Sequence, residues 1–179
     1  MFSFMTSHAC AESKIYFSFL ESKHHRVTKH QLQLEHATLH FTKTGNGERT
    51  LIAFHGFGQT GDAFHVLADE LSDQYTIYLF DLFFHGNSEW KLDEHPIGKI
   101  TWKALMDKFL GDHSIDNFSI LGFSMGGKFA LATLEAFPDQ VKEIFLLAPD
   151  GIATSMWYSL ATYPVMFRQL FKSMITHPG

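Results

Sequence analysis

Cysteine is nearly absent from this sequence of 179 residues. Because Cys10 is the single cysteine, the chain cannot form an internal disulfide bond, which favours a reducing compartment. Residues 1–14 lack a basic segment and a sustained apolar core, so we expect no signal peptide. Together these features predict a cytoplasmic protein.

The sequence also lacks an excess of positive charge, a long apolar run and clustered metal ligands. Its 14 lysines and arginines face 19 acidic residues, and the net charge of −5 argues against nucleic-acid binding. No apolar run approaches the roughly 18 residues of a membrane span. The 12 histidines show no metal-ligand spacing, so we expect neither a metal site nor a cofactor.

The hydrophobic pattern, in contrast, is well defined. Alternating or continuous apolar residues predict six strands, at 31–35, 38–42, 50–54, 75–80, 118–123 and 143–149. Helical spacing predicts three helices, at 62–71, 101–110 and 128–137. This alternation predicts an α/β fold, with a mostly parallel sheet and helices on both faces. We divide the chain into an N-terminal extension (1–30), a core (31–151) and a final segment (152–179).

Residues 121–131 read LGFSMGGKFAL and place Ser124 between Gly122 and Gly126. This G-x-S-x-G pattern presents a nucleophilic serine when a buried strand precedes it and a helix follows, as the hydrophobic pattern predicts here. Larger side chains at the two glycines would collide in so sharp a turn. Ser124 is therefore the candidate nucleophile, and the alternative is an incidental serine in a glycine-rich turn.

A second loop, HGFGQTGDAF at 55–64, follows another predicted strand and leaves the same edge of the sheet. Its glycines let the backbone turn inward, so that the Phe57 N–H can serve as one donor to an oxyanion. The Met125 N–H, directly after the serine, is the second candidate donor. We expect His55 to hold the loop by hydrogen bonds rather than to act in catalysis.

Four segments in this order, HGFG (55–58), DLFFHGNS (81–88), LGFSMGG (121–127) and LLAPDG (146–151), resemble the α/β-hydrolase superfamily, in its esterase, lipase and C–C hydrolase-like branch. The resemblance implies the α/β-hydrolase fold, Ser124 as nucleophile, and Phe57 and Met125 as oxyanion-hole donors. It also implies a structural rather than catalytic role for four residues of the second segment, Asp81, His85, Gly86 and Ser88. Phe83 and Phe84 stand where the family usually has proline and glycine, so this loop is expected to differ in shape and to border the pocket.

The resemblance also implies an acid and then a histidine after the serine. Asp139 lies at the wrong end of the sheet, which leaves Asp150 and His177 as triad candidates within the chain. The family fold has eight strands and six are found, and residues 152–179 resemble the start of a lid. We therefore expect the fold to be truncated after the sixth strand, with the acid and histidine beyond Gly179, and the chain alone to be inactive.

These observations predict a serine hydrolase that acts on an ester or other acyl bond of a small apolar substrate. Two alternatives stay open: a ligand-binding member of the same fold that does not catalyse, and an interaction module assembled through an exposed strand edge. Loss of turnover in Ser124→Ala favours the enzyme, whereas unchanged ligand affinity favours the binder.

The predicted strand 143–149 would form an unpaired apolar edge, and such edges pair with other chains. We expect the 179-residue chain to self-associate or to be poorly soluble. Analytical ultracentrifugation tests this expectation, and a stable monomer across concentrations would contradict it.

Overall fold

The computed structural model describes residues 27–91 and 97–149. These residues form one seven-stranded sheet flanked by three α-helices. The strands are β1 (Thr28–Leu34), β2 (Ala37–Thr44), β3 (Arg49–Phe54), β4 (Tyr75–Phe80), β5 (Glu89–Trp90), β6 (Phe118–Phe123) and β7 (Val141–Leu147). The helices are α1 (His65–Leu71), α2 (Lys99–Asp112) and α3 (Gly126–Ala136), and a 3-10 turn (Gly61–Phe64) leads into α1.

The strands are ordered β1-β2-β4-β3-β6-β7, with β5 paired to β2. The hairpin β1–β2 is antiparallel and joins β4 in an antiparallel pair. From β4 onward every neighbouring pair is parallel, so that β3 lies between β4 and β6. The predicted fold class, a mostly parallel sheet with helices, is confirmed.

Helices cover both faces of the sheet, as the sequence predicts. On one face, α2 and α3 pack over a large apolar core that includes Phe54, Phe80 and Phe109. The indole Nε1–H of buried Trp102 in α2 donates to Thr133 Oγ1 of α3 at 2.9 Å, which joins the two helices across this core. On the opposite face, α1 and the turn before it pack over a smaller core, formed by Leu51, Ala53, Phe64, Ala68, Tyr75, Ile77, Leu79 and Leu121. None of the helices in the described ranges is long and apolar enough to cross a bilayer.

Most element bounds shift by one to three residues from the sequence prediction, and β7 begins at Val141 rather than at residue 143. The first strand begins at Thr28, before the predicted start, and the predicted helix 62–71 divides into the 3-10 turn and α1. The short strand β5 has no counterpart in the prediction, since two residues are too few to show a period. Its Trp90 is buried and contacts the ring of Phe83, so packing rather than strand propensity holds it beside β2.

Strand β7 is the last strand of the described sheet and pairs with β6 alone among the described strands. Its side chains Phe145 and Leu147 are 44% and 47% exposed. The segment that is predicted to form an apolar edge therefore does so within residues 27–91 and 97–149.

His113, directly after α2, packs against three aromatic rings of the larger core. Its ring centroid lies 5.5 Å from that of Phe41, 5.3 Å from Tyr78 and 4.9 Å from Phe109. Burial, followed by repulsion from Lys43, lowers the pKa of His113 below its ordinary value. The folded chain therefore resists a proton that the unfolded chain accepts, and stability is lost as pH falls below about 6.5.

We expect His113→Phe to flatten the fall in unfolding free energy between about pH 7 and about pH 5.5, because it removes one of the groups that titrates on unfolding. Urea unfolding at several pH values measures this slope. His65→Gln is the matched control, since the His65 side chain is 69% exposed. An identical slope in His113→Phe and the wild type would contradict the prediction.

Candidate active site

Ser124 lies in a sharp turn between the end of β6 and the start of α3. Its φ of +49° is in the left-handed region, which costs a non-glycine residue about 1–2 kcal/mol. Two hydrogen bonds hold the turn: the Ser124 N–H donates to the Leu147 carbonyl and the Gly127 N–H donates to the Ser124 carbonyl, both at 2.9 Å. The half-buried serine is thus held in a strained conformation by the neighbouring strand and helix.

The glycines around Ser124 allow α3 to lie very close to the sheet. A Cβ atom at Gly122 would come within 2.9 Å of the Gly126 carbonyl oxygen. At Gly126 it would come within 2.0 Å of the carbonyl oxygen of Phe54, at the end of β3. Both glycines are required, as the sequence suggests, although the atoms that Gly126 must avoid belong to Phe54 and His55 rather than to Gly122.

The N-terminus of α3 directs its free N–H groups toward the turn. Met125 occupies the N-cap position, no side chain caps the helix, and the first turn contains no acidic residue. Within the part of the chain that the structure describes, the Met125 N–H donates to no acceptor. An anion beside Ser124 would therefore meet an available donor and the positive end of the helix dipole.

The loop after β3 lies beside this turn. Phe54 pairs with Gly122 in the parallel ladder, so both loops leave the carboxyl edge of the sheet. A Cβ at Gly56 would come within 2.9 Å of the Phe123 ring, so the loops are in direct contact. The Phe57 side chain is 82% exposed, and its N–H makes no hydrogen bond among residues 27–91 and 97–149.

His55 holds the start of this loop, as the sequence predicts. The ring is fully buried, its Nδ1 lies 2.7 Å from the Gly56 carbonyl oxygen, and its Nε2 accepts from the Leu82 N–H at 2.9 Å. These partners assign the proton to Nδ1, because Nε2 faces a donor. Burial is the main cause that lowers the pKa of His55, which keeps the ring neutral.

The loop 81–88 supports the loop 55–61 from the side. Asp81 Oδ1 accepts from the Gly61 N–H at 2.9 Å, and His85 Nε2 accepts from the Gly58 N–H at 2.9 Å. Ser88 Oγ donates to the Asp81 carbonyl at 2.6 Å. The side chains of Asp81, His85 and Ser88 therefore all form hydrogen bonds with backbone groups of these two loops.

Phe83 and Phe84, which stand where the resemblance implies proline and glycine, occupy opposite environments. Phe83 is buried against Trp90, whereas Phe84 is 71% exposed. Phe84 also has a φ of +66°, in the region that glycine adopts readily. Because phenylalanine rather than glycine adopts this φ at position 84, the loop is strained and carries an exposed aromatic ring.

The triad partners of Ser124 are not found among the described residues. No histidine or carboxylate in residues 27–91 and 97–149 hydrogen-bonds to the Ser124 hydroxyl, and His55 and His85 use both ring nitrogens on backbone groups. The candidates Asp150 and His177 lie outside the described residues. The contact from His85 to Gly58 has no signal in the sequence, since no spacing rule connects residues on two separate loops.

Comparison with known proteins relates this geometry to a family. The profile of a family described as alpha/beta hydrolase fold matches residues 49–174. The dihydrolipoyllysine-residue acetyltransferase component of the acetoin cleaving system from Cupriavidus necator is 28% identical over 65% of this chain and 30% of its own length. The human (lyso)-N-acylphosphatidylethanolamine lipase is 30% identical over 59% of this chain and 32% of its own length.

Among solved structures, a marine microorganism esterase is similar with a TM-score of 0.54 and 32% identity, over 60% of this chain and 40% of that one. The chain spans about a third of the length of the curated relatives described above.

We expect Gly126→Ala to destabilise the fold by about 3 kcal/mol or more, because its methyl group would overlap the backbone at the end of β3. Gly111→Ala is the matched control, since Gly111 also lies in a helix but a methyl group there would have nothing within 4 Å. The control should be neutral or gain up to about 1 kcal/mol from helix propensity. Equal unfolding free energies for the two variants in urea would contradict the close approach of α3 to β3.

Proposed function

The chain belongs to the alpha/beta hydrolase fold family, and on this premise we propose that it is a serine hydrolase with Ser124 as its nucleophile. The proposed reaction is cleavage of an ester or other acyl bond in a small apolar substrate. The observation that carries the proposal is the left-handed turn that holds Ser124 at the uncapped N-terminus of α3, beside the loop of Phe57. The esterase and the lipase among its relatives support an ester bond as the target.

In the proposed mechanism, Ser124 Oγ attacks the substrate carbonyl while a base removes the hydroxyl proton. The negative oxygen of the tetrahedral intermediate accepts hydrogen bonds from the Phe57 and Met125 N–H groups. A single well-placed donor of this kind is worth about 3–4 kcal/mol of transition-state stabilisation. The protonated base then donates to the leaving alcohol, and water releases the acyl group from Ser124 by the same steps in reverse.

The base that activates Ser124 comes from outside the described residues in this proposal. His55 and His85 are excluded, because each has Nδ1 on a carbonyl oxygen and Nε2 on a backbone N–H. Within the sequence, the candidate base is His177, with Asp150 as its acid. The resemblance favours a base in a segment after Gly179 instead.

An apolar substrate is supported by the side chains that the two loops expose. Phe57 and Phe84 are 82% and 71% exposed, although both are aromatic. Exposed apolar side chains of this size on loops beside a candidate site favour contact with an apolar ligand. We propose that the acyl or alcohol part of the substrate packs against them.

We also propose that the protein is cytoplasmic and that it self-associates. The single cysteine supports a cytoplasmic protein. The exposed side chains Phe145 and Leu147 on β7 support self-association along that strand.

In a C-terminally extended chain, which is the active form of the protein in this proposal, we expect Ser124→Ala to lower the turnover of a short-chain aryl ester by roughly 10³-fold or more, because no other group replaces the nucleophile. Ser114→Ala is the matched control, since Ser114 also has a positive φ, of +53°, and is exposed away from the site. A fluorophosphonate probe should label the active form of the protein at Ser124, detected by intact mass. Unchanged turnover in Ser124→Ala would contradict Ser124 as the nucleophile. Absence of turnover in the wild type, with ligand affinity unchanged in Ser124→Ala, would favour the non-catalytic binding alternative.

We expect His177→Gln to leave the 179-residue chain as unreactive toward the same probe as the wild-type chain, because the activating base is proposed to follow Gly179. A C-terminally extended chain should then become labelled. Labelling of the 179-residue chain that disappears in His177→Gln would instead assign the base to His177.

A further inference from the structure

We propose that His85 is a positioning residue for the oxyanion hole, because it holds the turn that carries the Phe57 N–H. This inference rests on the proposed function, in which that N–H binds the developing oxyanion. His85 Nε2 accepts from the Gly58 N–H at 2.9 Å, across the gap between two loops. Gly58, whose N–H forms this hydrogen bond, directly follows Phe57.

Two histidines hold the peptide planes on either side of Phe57. The plane that contains the Phe57 N–H also contains the Gly56 carbonyl, which accepts from His55 Nδ1–H at 2.7 Å. The next plane contains the Gly58 N–H, which donates to His85. Holding both planes fixes the two soft backbone dihedrals of Phe57, and therefore the direction of its N–H.

The turn needs this support because packing contributes little there. The Phe57 side chain is 82% exposed, and a Cβ atom added at Gly58 would have nothing within 4 Å. The Gln59 N–H donates to the Gly56 carbonyl at 3.3 Å and Gly58 has a φ of +73°, as in a type II turn. Glycine at this position also permits other conformations, so an acceptor for the Gly58 N–H selects one of them.

The His85 ring is itself held in the orientation that this role requires. Its Nδ1 donates to the Phe83 carbonyl at 3.0 Å, which leaves Nε2 as the acceptor. The ring packs edge-on against His55, with centroids 5.1 Å apart, and against Phe57 at 5.4 Å. The acceptor is therefore fixed before any substrate binds, and the loop 81–88 acts on the site through the Phe57 turn.

Two variants separate the hydrogen bond from the packing of the ring. His85→Phe keeps an aromatic ring between His55 and Phe57 but removes the acceptor, whereas His85→Gln places an amide oxygen near the position of Nε2. His65→Gln, on the exposed side of α1, is the control for loss of a histidine. Thermal unfolding of each variant verifies that it is folded.

In the active form of the protein, we expect His85→Phe to lower kcat on the order of 10-fold with KM nearly unchanged, because a misdirected donor weakens transition-state binding and His55 still holds one plane. His85→Gln should recover most of this loss. Equal kcat in His85→Phe and the wild type, or no recovery in His85→Gln, would overturn the proposal.

Hydrogen exchange at the Gly58 amide tests, without any reaction, whether His85 holds this turn. In the 179-residue chain, exchange of the Gly58 N–H should rise on the order of 10-fold in His85→Phe and return toward wild type in His85→Gln. Unchanged exchange of the Gly58 N–H in His85→Phe would contradict the proposal that His85 holds this turn, even if activity falls. Absence of Ser124-dependent hydrolysis would contradict the proposed function alone, and exchange would still decide whether His85 holds the turn.

Discussion

The close contact between the first turn of α3 and the end of β3 is the constraint on which the candidate site depends. Because a methyl group at Gly126 would lie 2.0 Å from the Phe54 carbonyl oxygen, only glycine allows the helix to start there. This contact places the free N–H groups at the start of α3 beside the loop that follows β3. Ser124, which lies between β6 and this helix, has a φ in the left-handed region.

The loops above this contact are joined by hydrogen bonds from side chains to backbone as well as by ring contacts of His85 with His55 and Phe57. His55, Asp81 and His85 each accept from an N–H of the other loop. Such bonds direct peptide planes, which packing alone does not. With the bonds from each Nδ1 to a carbonyl oxygen, both ring nitrogens of His55 and His85 are used on backbone groups.

The fold was largely predictable from the sequence, because the buried parallel strands are continuous apolar runs and the helices have a clear apolar spacing. The turn at Ser124 was predictable because its G-x-S-x-G pattern stands between a continuous apolar run and a helical apolar spacing, which is the context that such a turn requires. Strand β5 was not predictable, since two residues are too few to show a period and Trp90 is held by packing against Phe83 and by pairing with β2. The bond from His85 to Gly58 could not be predicted either, because it depends on how two loops are oriented, and no local pattern encodes that orientation.

The strand order has a consequence for synthesis of the protein. Strand β3 is central and apolar, and its neighbour β6 pairs with it through residues such as Leu51 and Ser119, far apart along the chain. While the ribosome has released β1 to β4 but not yet β6, one edge of β3 has no strand to pair with. Until β6 emerges, the nascent chain therefore exposes an apolar strand edge, and chaperone binding competes with aggregation. The same central position that later aligns the two loops makes β3 the segment most in need of protection before the fold is complete.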